Sequence, residues 1–448
     1  MPIASPTNTA VVPDNATLLK NVLSLAGPTT LVALLQVVAQ LTETWLAARQ
    51  GTAALAGWAV ILPFSLLMQQ MSTGAMGGGV VSAIARARGA SNNEEASALV
   101  LHALIIAVIA GLIFALGLSL FAGPMLDAIA GPQAKQAALP YVVLLFGVGG
   151  IPAWLTNTLA SVLRGGGRHA LAARTLVLAW IAVPLLAWLL AEPAGMGLAG
   201  IGAAFAIVFS AATIAMAVVV MRGGAGFVPT LKVRPSGHLF KRILAVGAIA
   251  CALAAVANLT TILVTAQLRK YGTAAVAAYG ISARMEFLVI PLAFGVGSAL
   301  TALVGRAVGG ADWRTARRIA WLGGSITFCL TCALGAMVAF APHAFASFFT
   351  HDAQVADIAS RALAFIGPAF GGLGLGMAIY FASMGAGRMK WPVIAALSRF
   401  AIAVGGGWLL ADFAGMGMEG QFLGVAIGLV SYGFFTAMGV RSSVWTAR

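Results

Sequence analysis

The chain has 448 residues, of which 60% are hydrophobic and only 8% are charged. Soluble domains carry about a quarter of their residues as charged side chains, so this composition excludes a soluble protein and requires that apolar surface faces lipid. The net charge of +14 would suit a nucleic-acid partner, but the placement of the basic residues described below argues against that class.

Apolar runs long enough to cross a bilayer occur twelve times along the chain. A helix needs about twenty residues to cross about 30 Å of hydrocarbon. The first six runs lie at 25–48, 53–84, 97–122, 138–163, 172–191 and 199–221. The other six lie at 243–268, 274–304, 319–341, 361–384, 392–411 and 421–440. The predicted fold is therefore an all-α integral membrane protein with about twelve transmembrane helices.

A basic segment separates the two sets of runs. Residues 222–242 include Pro229, Pro235 and five Lys or Arg, a composition typical of a connection outside the membrane. We predict a six-helix lobe at 1–221, a cytoplasmic linker at 222–242 and a second six-helix lobe at 243–448.

The two halves repeat each other at a nearly constant offset along the chain. Three segments recur: Gly51–Ala56 as Gly272–Ala277, Gly167-Arg168 as Gly387-Arg388, and Gly195–Gly197 as Gly415–Gly417. An even number of spans in each copy gives both copies the same orientation, related by an axis along the membrane normal. Two pseudo-symmetric bundles with a central cleft are predicted, an arrangement that favours a carrier over a membrane enzyme.

The basic residues are divided unequally between the two sides of the membrane. We place twenty Lys and Arg, Arg399 among them, on one side, called the basic side below. The opposite side has only five, which are Arg49, Lys135, Arg269, Lys270 and Arg361. By the positive-inside rule the basic side and both termini are predicted to be cytoplasmic. The first twenty residues lack the features of a secretory signal, so no processing is expected.

Three charged residues lie inside predicted spans, where a charge is costly and therefore a functional candidate. They are Glu43 in the first span and Arg284 and Glu286 in the eighth. Glu43 shares a helical stripe with Gln36, Gln40 and Thr44, at spacings of three and four. The corresponding stripe of the second copy contains Asn258, Thr261 and Thr265, with Val264 at the position of Glu43. Both stripes are predicted to line the cleft.

A carboxylate in a low-dielectric site can exchange a proton or bind Na⁺ when the cleft changes sides. Glu43 is therefore the leading candidate for cation coupling, and the alternative is a carboxylate that stays hydrated near the interface. Glu286 either faces the cleft as a second coupling group or forms a structural ion pair. Gln69 and Asn157 either contact a substrate or join helices by hydrogen bonds.

No catalytic or metal-binding motif accompanies these residues, so no enzyme, cofactor or metal site is expected. The five histidines are scattered over loops and span ends and are predicted to be surface residues. The three cysteines lie in apolar stretches and are too few for a disulfide framework.

The local patterns together resemble the multidrug and toxic compound extrusion (MATE) transporters over essentially the whole chain. Residues 40–44, followed by the turn at Gly51–Ala56, are similar to that family's opening pattern of an acid before a G-x-x-A-[LV]-A turn. The run ARMEFLVIPL at 283–292 resembles the eighth helix of bacterial members, and Gly195–Gly200 resembles the start of their sixth helix.

This resemblance implies an exporter of cationic or amphipathic organic compounds, driven by antiport of H⁺ or Na⁺, in a bacterial inner membrane. The usual acid of the first helix is Asp, and here it is Glu43. The Asn and Asp that many members place four apart on the fifth helix are replaced by Trp180 and Pro184. Fewer carboxylates favour H⁺ over Na⁺, because Na⁺ needs several oxygen ligands.

The expected partners are small-molecule substrates and the lipid bilayer, without nucleic acid, and the chain is expected to be a monomer. The alternative is a lipid-linked oligosaccharide flippase of the wider superfamily. Such a protein would have a cleft rich in Arg and Lys, for which only Arg284 is available among the predicted spans.

Overall fold

The architecture is a bundle of long helices, seen in a computed structural model that describes residues 14–442 and 445–446, without the side chains of 287 and 288. The polar N-terminal segment 1–13 and Arg448, which the prediction placed on the basic side, lie outside the described residues.

Within residues 14–221 the first half forms seven α-helices, two of which are extended by π-helical turns. These helices are α1 (Asn15–Arg49), α2 (Thr52–Gln69), α3 (Met76–Gly89), α4 (Asn93–Val142), α5 (Gly150–Gly165), α6 (His169–Ala191) and α7 (Leu198–Met221). The π-helical turns Gln70–Ala75 and Val143–Val148 join α2 to α3 and α4 to α5.

In its described part the second half forms eight α-helices with the same order of long elements. These helices are α8 (Gly237–Leu268), α9 (Thr273–Gly309), α10 (Trp313–Phe340), α11 (Pro342–Phe349), α12 (Ala353–Ile366), α13 (Phe370–Ala386), α14 (Lys390–Phe400) and α15 (Met418–Arg441). Short 3₁₀ turns, Arg269–Tyr271 and Gly367–Ala369, follow α8 and α12, and π-helical turns, Ala401–Gly406 and Leu409–Phe413, follow α14.

The described residues contain eleven helical stretches that are long and apolar enough to span a membrane. One of them is long enough to cross twice, which gives twelve crossings. The stretch Asn93–Val148 has 56 residues and would be about 84 Å long, more than twice the hydrocarbon thickness. Gly131, with φ +85°, breaks it about two thirds of the way along. It therefore makes two crossings, the second of which continues into α5. The predicted all-α membrane fold with about twelve spans is confirmed.

The internal repeat is visible in the backbone as well as in the sequence. Ser91 and Ala311, which occupy the same position in the two copies, both have positive φ, 58° and 60°, although neither is glycine. Each is followed by a helix N-cap, Asn92 or Asp312, whose side chain accepts a hydrogen bond from the backbone N–H three residues on. The duplicated sequence thus folds into duplicated local structure, which confirms the two-repeat prediction.

The halves meet mainly at the basic side. Leu18 and Val22 of α1 pack in a cluster with Val296 and Ala299 of α9. Farther from the basic side, Gly247 of α8 lies against α3 so closely that a Cβ added to it would come within 2.6 Å of the Met76 sulfur. Because α1 extends into the second half's packing, the two bundles are not independent units on this side.

Among the residues that the structure describes, ion pairs on the opposite side join helices of one half only. In the first half Arg49 pairs with Glu192 at 3.1 Å and Lys135 pairs with Asp127 at 3.3 Å. In the second half Lys270 pairs with Asp412. The described contacts between halves therefore hold the basic side together and do not bridge the opposite ends.

Three placements differ from the sequence-based expectations. Arg399 lies nine residues into α14 and pairs with Glu286, so it belongs inside the bundle and not to the basic side. His102 and His169 are buried at 0% and 1% exposure, whereas all histidines were predicted to be surface residues. Both ring nitrogens of His102 have hydrogen-bond partners, which offset the cost of its burial, whereas His169 is bonded to Thr29 through Nδ1 and its Nε2 has no partner among the described residues.

Candidate functional site

Glu43 accepts two hydrogen bonds from aromatic side chains of other helices. The indole Nε1 of Trp58 donates to Glu43 Oε1 at 3.1 Å, and the hydroxyl of Tyr141 donates to the same oxygen at 2.5 Å. Three spans of the first half therefore converge on one carboxylate.

Local backbone features bring these three residues together. Gly51 has φ +97°, a value that favours glycine, and its tight turn reverses the chain between α1 and α2. Trp58 then lies two turns into α2, near the level of Glu43 two turns before the end of α1. The break at Gly131 reverses α4 in the same way and brings Tyr141 back beside them.

The geometry leaves the carboxylate able to change its charge. Both donors bind Oε1, so Oε2 can take a proton without displacing either hydrogen bond. Glu43 is half-buried, at a depth of about 9 Å below Arg49 at the end of α1. Hydrogen bonds from a phenol and an indole stabilise the ionised form and hold the group in one position.

The second half has no equivalent carboxylate among its described residues at this position. Val264, which is completely buried, replaces Glu43, and Tyr279 replaces Trp58. The site is therefore a feature of one half and not of the repeat.

The other residues of the first predicted stripe lie along the same stretch of α1. Gln36, Gln40 and Thr44 are all half-buried, and the Thr44 hydroxyl donates to the Gln40 carbonyl at 2.8 Å. These positions are compatible with a cleft lining, which stays a prediction.

The second predicted stripe begins at a hydrogen bond between the halves. Asn258 Nδ2 of α8 donates to Gln70 Oε1 at 3.2 Å. Thr261 and Thr265, toward the opposite side, are half-buried and donate to carbonyls of their own helix. Their role in binding a substrate also stays a prediction.

Gln69 and Asn157 are buried inside the first bundle. Asn157 Nδ2 donates to Gln69 Oε1 at 3.4 Å and to Ser72 Oγ at 2.8 Å. The neighbouring glutamines lie at the start of the π-helical turn Gln70–Ala75, and their side chains point to different halves. Gln69 contacts Asn157 of the first half, and Gln70 contacts Asn258 of the second. In this conformation Gln69 and Asn157 join helices of the first bundle.

Glu286 forms the interhelical ion pair that the sequence left open. Its Oε2 lies 3.2 Å from Arg399 Nη2 of α14, and both side chains are largely buried. Arg284, two residues earlier on α9, is exposed, so the two neighbours do not share one environment. A role of Glu286 in coupling stays a prediction.

Arg164, one of the twenty basic residues that the sequence placed on the basic side, is a buried charge. It is 2% exposed, its Nε has no hydrogen-bond partner, and its guanidinium lies 5.8 Å from the ring centre of Phe294 of the second half. It borders a cavity of about 10 Å³, about the space that one water needs, together with Thr73 and Ser298. Only its place near the end of a span could have indicated this burial.

Aromatic packing occupies the fifth-helix position that the resemblance singles out. Trp180 lies 5.3 Å from Phe209 and 6.5 Å from Phe205, measured between ring centres. Apolar aromatic rings therefore pack against Trp180 where the resemblance would place a polar pair, and Glu43 is the candidate acid of the site.

Two repeated six-span bundles that meet on one side are the architecture of a membrane transporter. The MatE family model matches residues 28–189 and again residues 248–409. The chain belongs to the MATE transporter family, as its sequence patterns indicated. No match was found among curated proteins.

Several solved structures share the fold over nearly the whole chain. A transporter of the MOP superfamily from Pyrococcus furiosus, described by the reverse polarity of its binding pocket, is 21% identical with a TM-score of 0.88 over 97% of this chain and 98% of its own. An outward-facing multidrug resistance MATE transporter is 21% identical with a TM-score of 0.87 over 97% and 98%. The Vibrio cholerae MATE transporter VcmN in its bent form is 20% identical with a TM-score of 0.87 over 96% and 99%.

Proposed function

We propose that this MATE transporter exports cationic or amphipathic organic compounds by antiport with a cation, and that the cation is H⁺. The observation that carries the proposal is the Glu43 carboxylate, which is held by Trp58 and Tyr141 and is partly exposed. A transporter of this kind needs one group whose charge changes as the cleft changes sides.

The surroundings of Glu43 favour a proton over Na⁺. Trp58 offers an N–H, which is a donor only and cannot bind a cation through a lone pair. Tyr141 also donates to the carboxylate, and its oxygen is a neutral ligand. Na⁺ would have to collect several oxygens here, whereas a proton needs only Oε2.

The contacts between the halves are consistent with alternating access. The halves touch on the basic side and are joined near mid-membrane by Asn258 and Gln70, so the space beyond this hydrogen bond lies between them. We assign the basic side and both termini to the cytoplasm of a bacterial inner membrane. Substrate would then enter after the basic side opens and leave on the opposite side.

The test is ethidium efflux from proteoliposomes that contain the purified chain, with an imposed pH gradient and then a Na⁺ gradient. We expect efflux with the pH gradient alone. Glu43→Gln should abolish it, because the amide keeps the shape but cannot exchange the proton. Efflux by this variant at the wild-type rate would eliminate Glu43 as the coupling group.

Glu192→Gln is the matched control, with the same change in a loop on the opposite side. The hydrogen bond from Arg49 keeps the pKa of Glu192 below its usual value, which favours the ionised carboxylate. The control should transport as wild type does. A loss of transport in both variants would indicate damage to the fold and not to coupling.

A lipid-linked oligosaccharide flippase is the second candidate. The sequence offered only Arg284 for an anionic headgroup, but Arg164 and Arg399 also lie inside the bundles. Arg164 favours this candidate because it is a buried cation at the interface of the halves without a carboxylate partner among the described residues. If neither gradient moves any of several cationic dyes, the flippase becomes the leading candidate.

A further inference from the structure

Two arginines reach from one half to the other at the basic side, in equivalent ways. Arg86 at the end of α3 donates from Nη1 to the carbonyl of Gly385, in the last turn of α13, at 3.2 Å. Arg306 near the end of α9 donates from Nη2 to the carbonyl of Gly166, directly after α5, at 3.2 Å. Arg86 and Arg306 occupy the same position in the two copies of the internal repeat.

The glycines beside these contacts are equivalent too. Gly387 and Gly167 have φ of +69° and +81°, and a Cβ on either would come within 2.9 Å of the approaching guanidinium. Each contact therefore combines a helix end, a glycine without a side chain and an arginine from the other half. Such a position also favours a cation, because the C-terminus of a helix carries partial negative charge.

The main chains around the arginines also contact each other reciprocally. A Cβ on Gly89 would lie 2.0 Å from the Arg306 carbonyl oxygen, and one on Gly309 would lie 2.1 Å from the Arg86 carbonyl oxygen. Gly89 of the first half thus meets Arg306 of the second, and Gly309 of the second half meets Arg86 of the first. Such reciprocal contacts are typical of an interface with twofold symmetry. Only glycine allows this approach.

We propose that Arg86 and Arg306 form a reciprocal lock that holds the two halves closed on the basic side. Each guanidinium caps a helix of the other half, so separation of the halves must break both contacts together. The acceptors are neutral carbonyls, which water can replace, and not carboxylates. The lock is therefore reversible, as a gate must be.

The two contacts differ in strength. The contact made by Arg86 also includes Ser82. The Ser82 hydroxyl donates to the Met384 carbonyl and accepts a hydrogen bond from Arg86. The position equivalent to Ser82 is Ala302, which has no hydroxyl. Arg306 is exposed and lies near the like charges of Arg88 and Arg168. Loss of Arg86 should consequently open the basic side more than loss of Arg306.

The experiment measures how often the basic side opens. In the full chain, with the three native cysteines replaced, Ser298→Cys introduces a buried thiol beside the interface cavity. Its rate of reaction with a membrane-impermeant thiol reagent, added at the basic side of proteoliposomes, is proportional to the open population. No substrate or gradient is present, so the result is separate from the test of the proposed function.

Arg86→Gln should raise the labelling rate about tenfold, as expected for losing a hydrogen bond from a charged donor. Arg306→Gln should raise it less, and Arg86→Lys should restore part of the protection. Arg174→Gln, at an exposed arginine on the same side, is the matched control and should label as wild type does. Equal rates in wild type, Arg86→Gln and Arg306→Gln would overturn the lock.

Spin-label distances separate opening from partial unfolding. One pair replaces Glu94 and Arg314 on the basic side, and a second pair replaces Ala194 and Ala414 on the opposite side, all exposed. In Arg86→Gln the first distance should lengthen while the second shortens, because the halves rock as bodies. Faster labelling without this paired change would mean loosened packing and would also overturn the lock.

Discussion

Arg164 and Met384 occupy equivalent positions in the two copies of the repeat, at the interface on the basic side. Met384 is buried and lies against Gly78 of the first half, as expected of a flexible apolar side chain. Arg164 is equally buried, but its Nε has no hydrogen-bond partner. Burial of an unpaired charge costs free energy, so Arg164 lowers the stability of the conformation described above.

Arg164→Met should therefore stabilise this conformation by at least about 1 kcal/mol, because it removes the desolvation cost and keeps the volume. The measurement is the unfolding temperature of the purified protein in detergent, which should rise by a few degrees. Arg168→Met, at an exposed neighbouring residue, is the control and should change the temperature little. A lower unfolding temperature for Arg164→Met would show that a partner, such as a bound anion, stabilises the charge.

The hydrogen bond from Tyr141 to Glu43 is expected to contribute to transport, which a single substitution can test. Tyr141→Phe removes the donor at 2.5 Å and leaves the ring in place. We expect transport driven by the pH gradient to fall about tenfold, because a hydrogen bond to a charged group contributes about 1.5–3 kcal/mol to holding it. Tyr271→Phe, on the 3₁₀ turn after α8, is the control and should transport normally. Unchanged efflux by Tyr141→Phe would leave Tyr141 without a part in coupling.

Glu43 was identifiable from the sequence but its two donors were not. A carboxylate inside an apolar run is a local anomaly, visible without any structure. Trp58 and Tyr141 lie in apolar runs where aromatic residues are ordinary, and their approach to Glu43 depends on how three helices pack. The polar tips of these aromatic residues were the only available signal.

At the scale of elements, the ion pair between Glu286 and Arg399 joins α9 to α14 just before a π-helical turn at Ala401–Gly406. The sequence could not place Arg399, because a long basic side chain near a span end can also extend to the membrane surface. The ion pair with Glu286 of α9 holds the Arg399 side chain inside the bundle and away from the membrane surface. This partner lies far away along the chain and is set by tertiary packing.

A double substitution distinguishes a structural pair from a coupling group. Glu286→Gln alone should destabilise the protein by about 3–5 kcal/mol, because it leaves Arg399 buried without a counter-charge. Replacing both residues, as Glu286→Gln with Arg399→Met, should restore most of the unfolding temperature. If the pair is structural, the double variant also transports ethidium. A stable double variant without transport would instead make Glu286 a second coupling group.

At the scale of the whole molecule, the span count and the repeat follow from the sequence because both are local properties. Hydropathy marks each crossing without reference to its neighbours, and the repeat appears in short motifs such as Gly167-Arg168 and its copy Gly387-Arg388. The interface between the halves could not be predicted in the same way. It depends on backbone approach at Gly89 and Gly309, which resemble many other glycines in this chain.

The linker between the halves lies along the first bundle and does not bridge a gap. Ser97 of α4 accepts a hydrogen bond from the Thr230 backbone N–H and donates to the Val228 carbonyl, and His102 accepts one from Ser236 N–H at 2.9 Å. The contacts between the halves are made by helices outside this segment. The covalent connection should therefore contribute little to holding the assembled molecule together.

A protease site inserted after Lys232, which is exposed, tests this expectation. After cleavage the two fragments should elute together in size-exclusion chromatography, because the packing of α1 on α9 and the contacts of α3 remain. Proteoliposomes with the cleaved protein should keep efflux near the uncut level. A cleaved sample whose fragments separate would show that the linker, and not the interface on the basic side, holds the halves together.

A second variant, Gly89→Val, tests whether the interface on the basic side holds the cleaved fragments together. The valine side chain would collide with the Arg306 carbonyl, so the fragments of this variant should separate after cleavage.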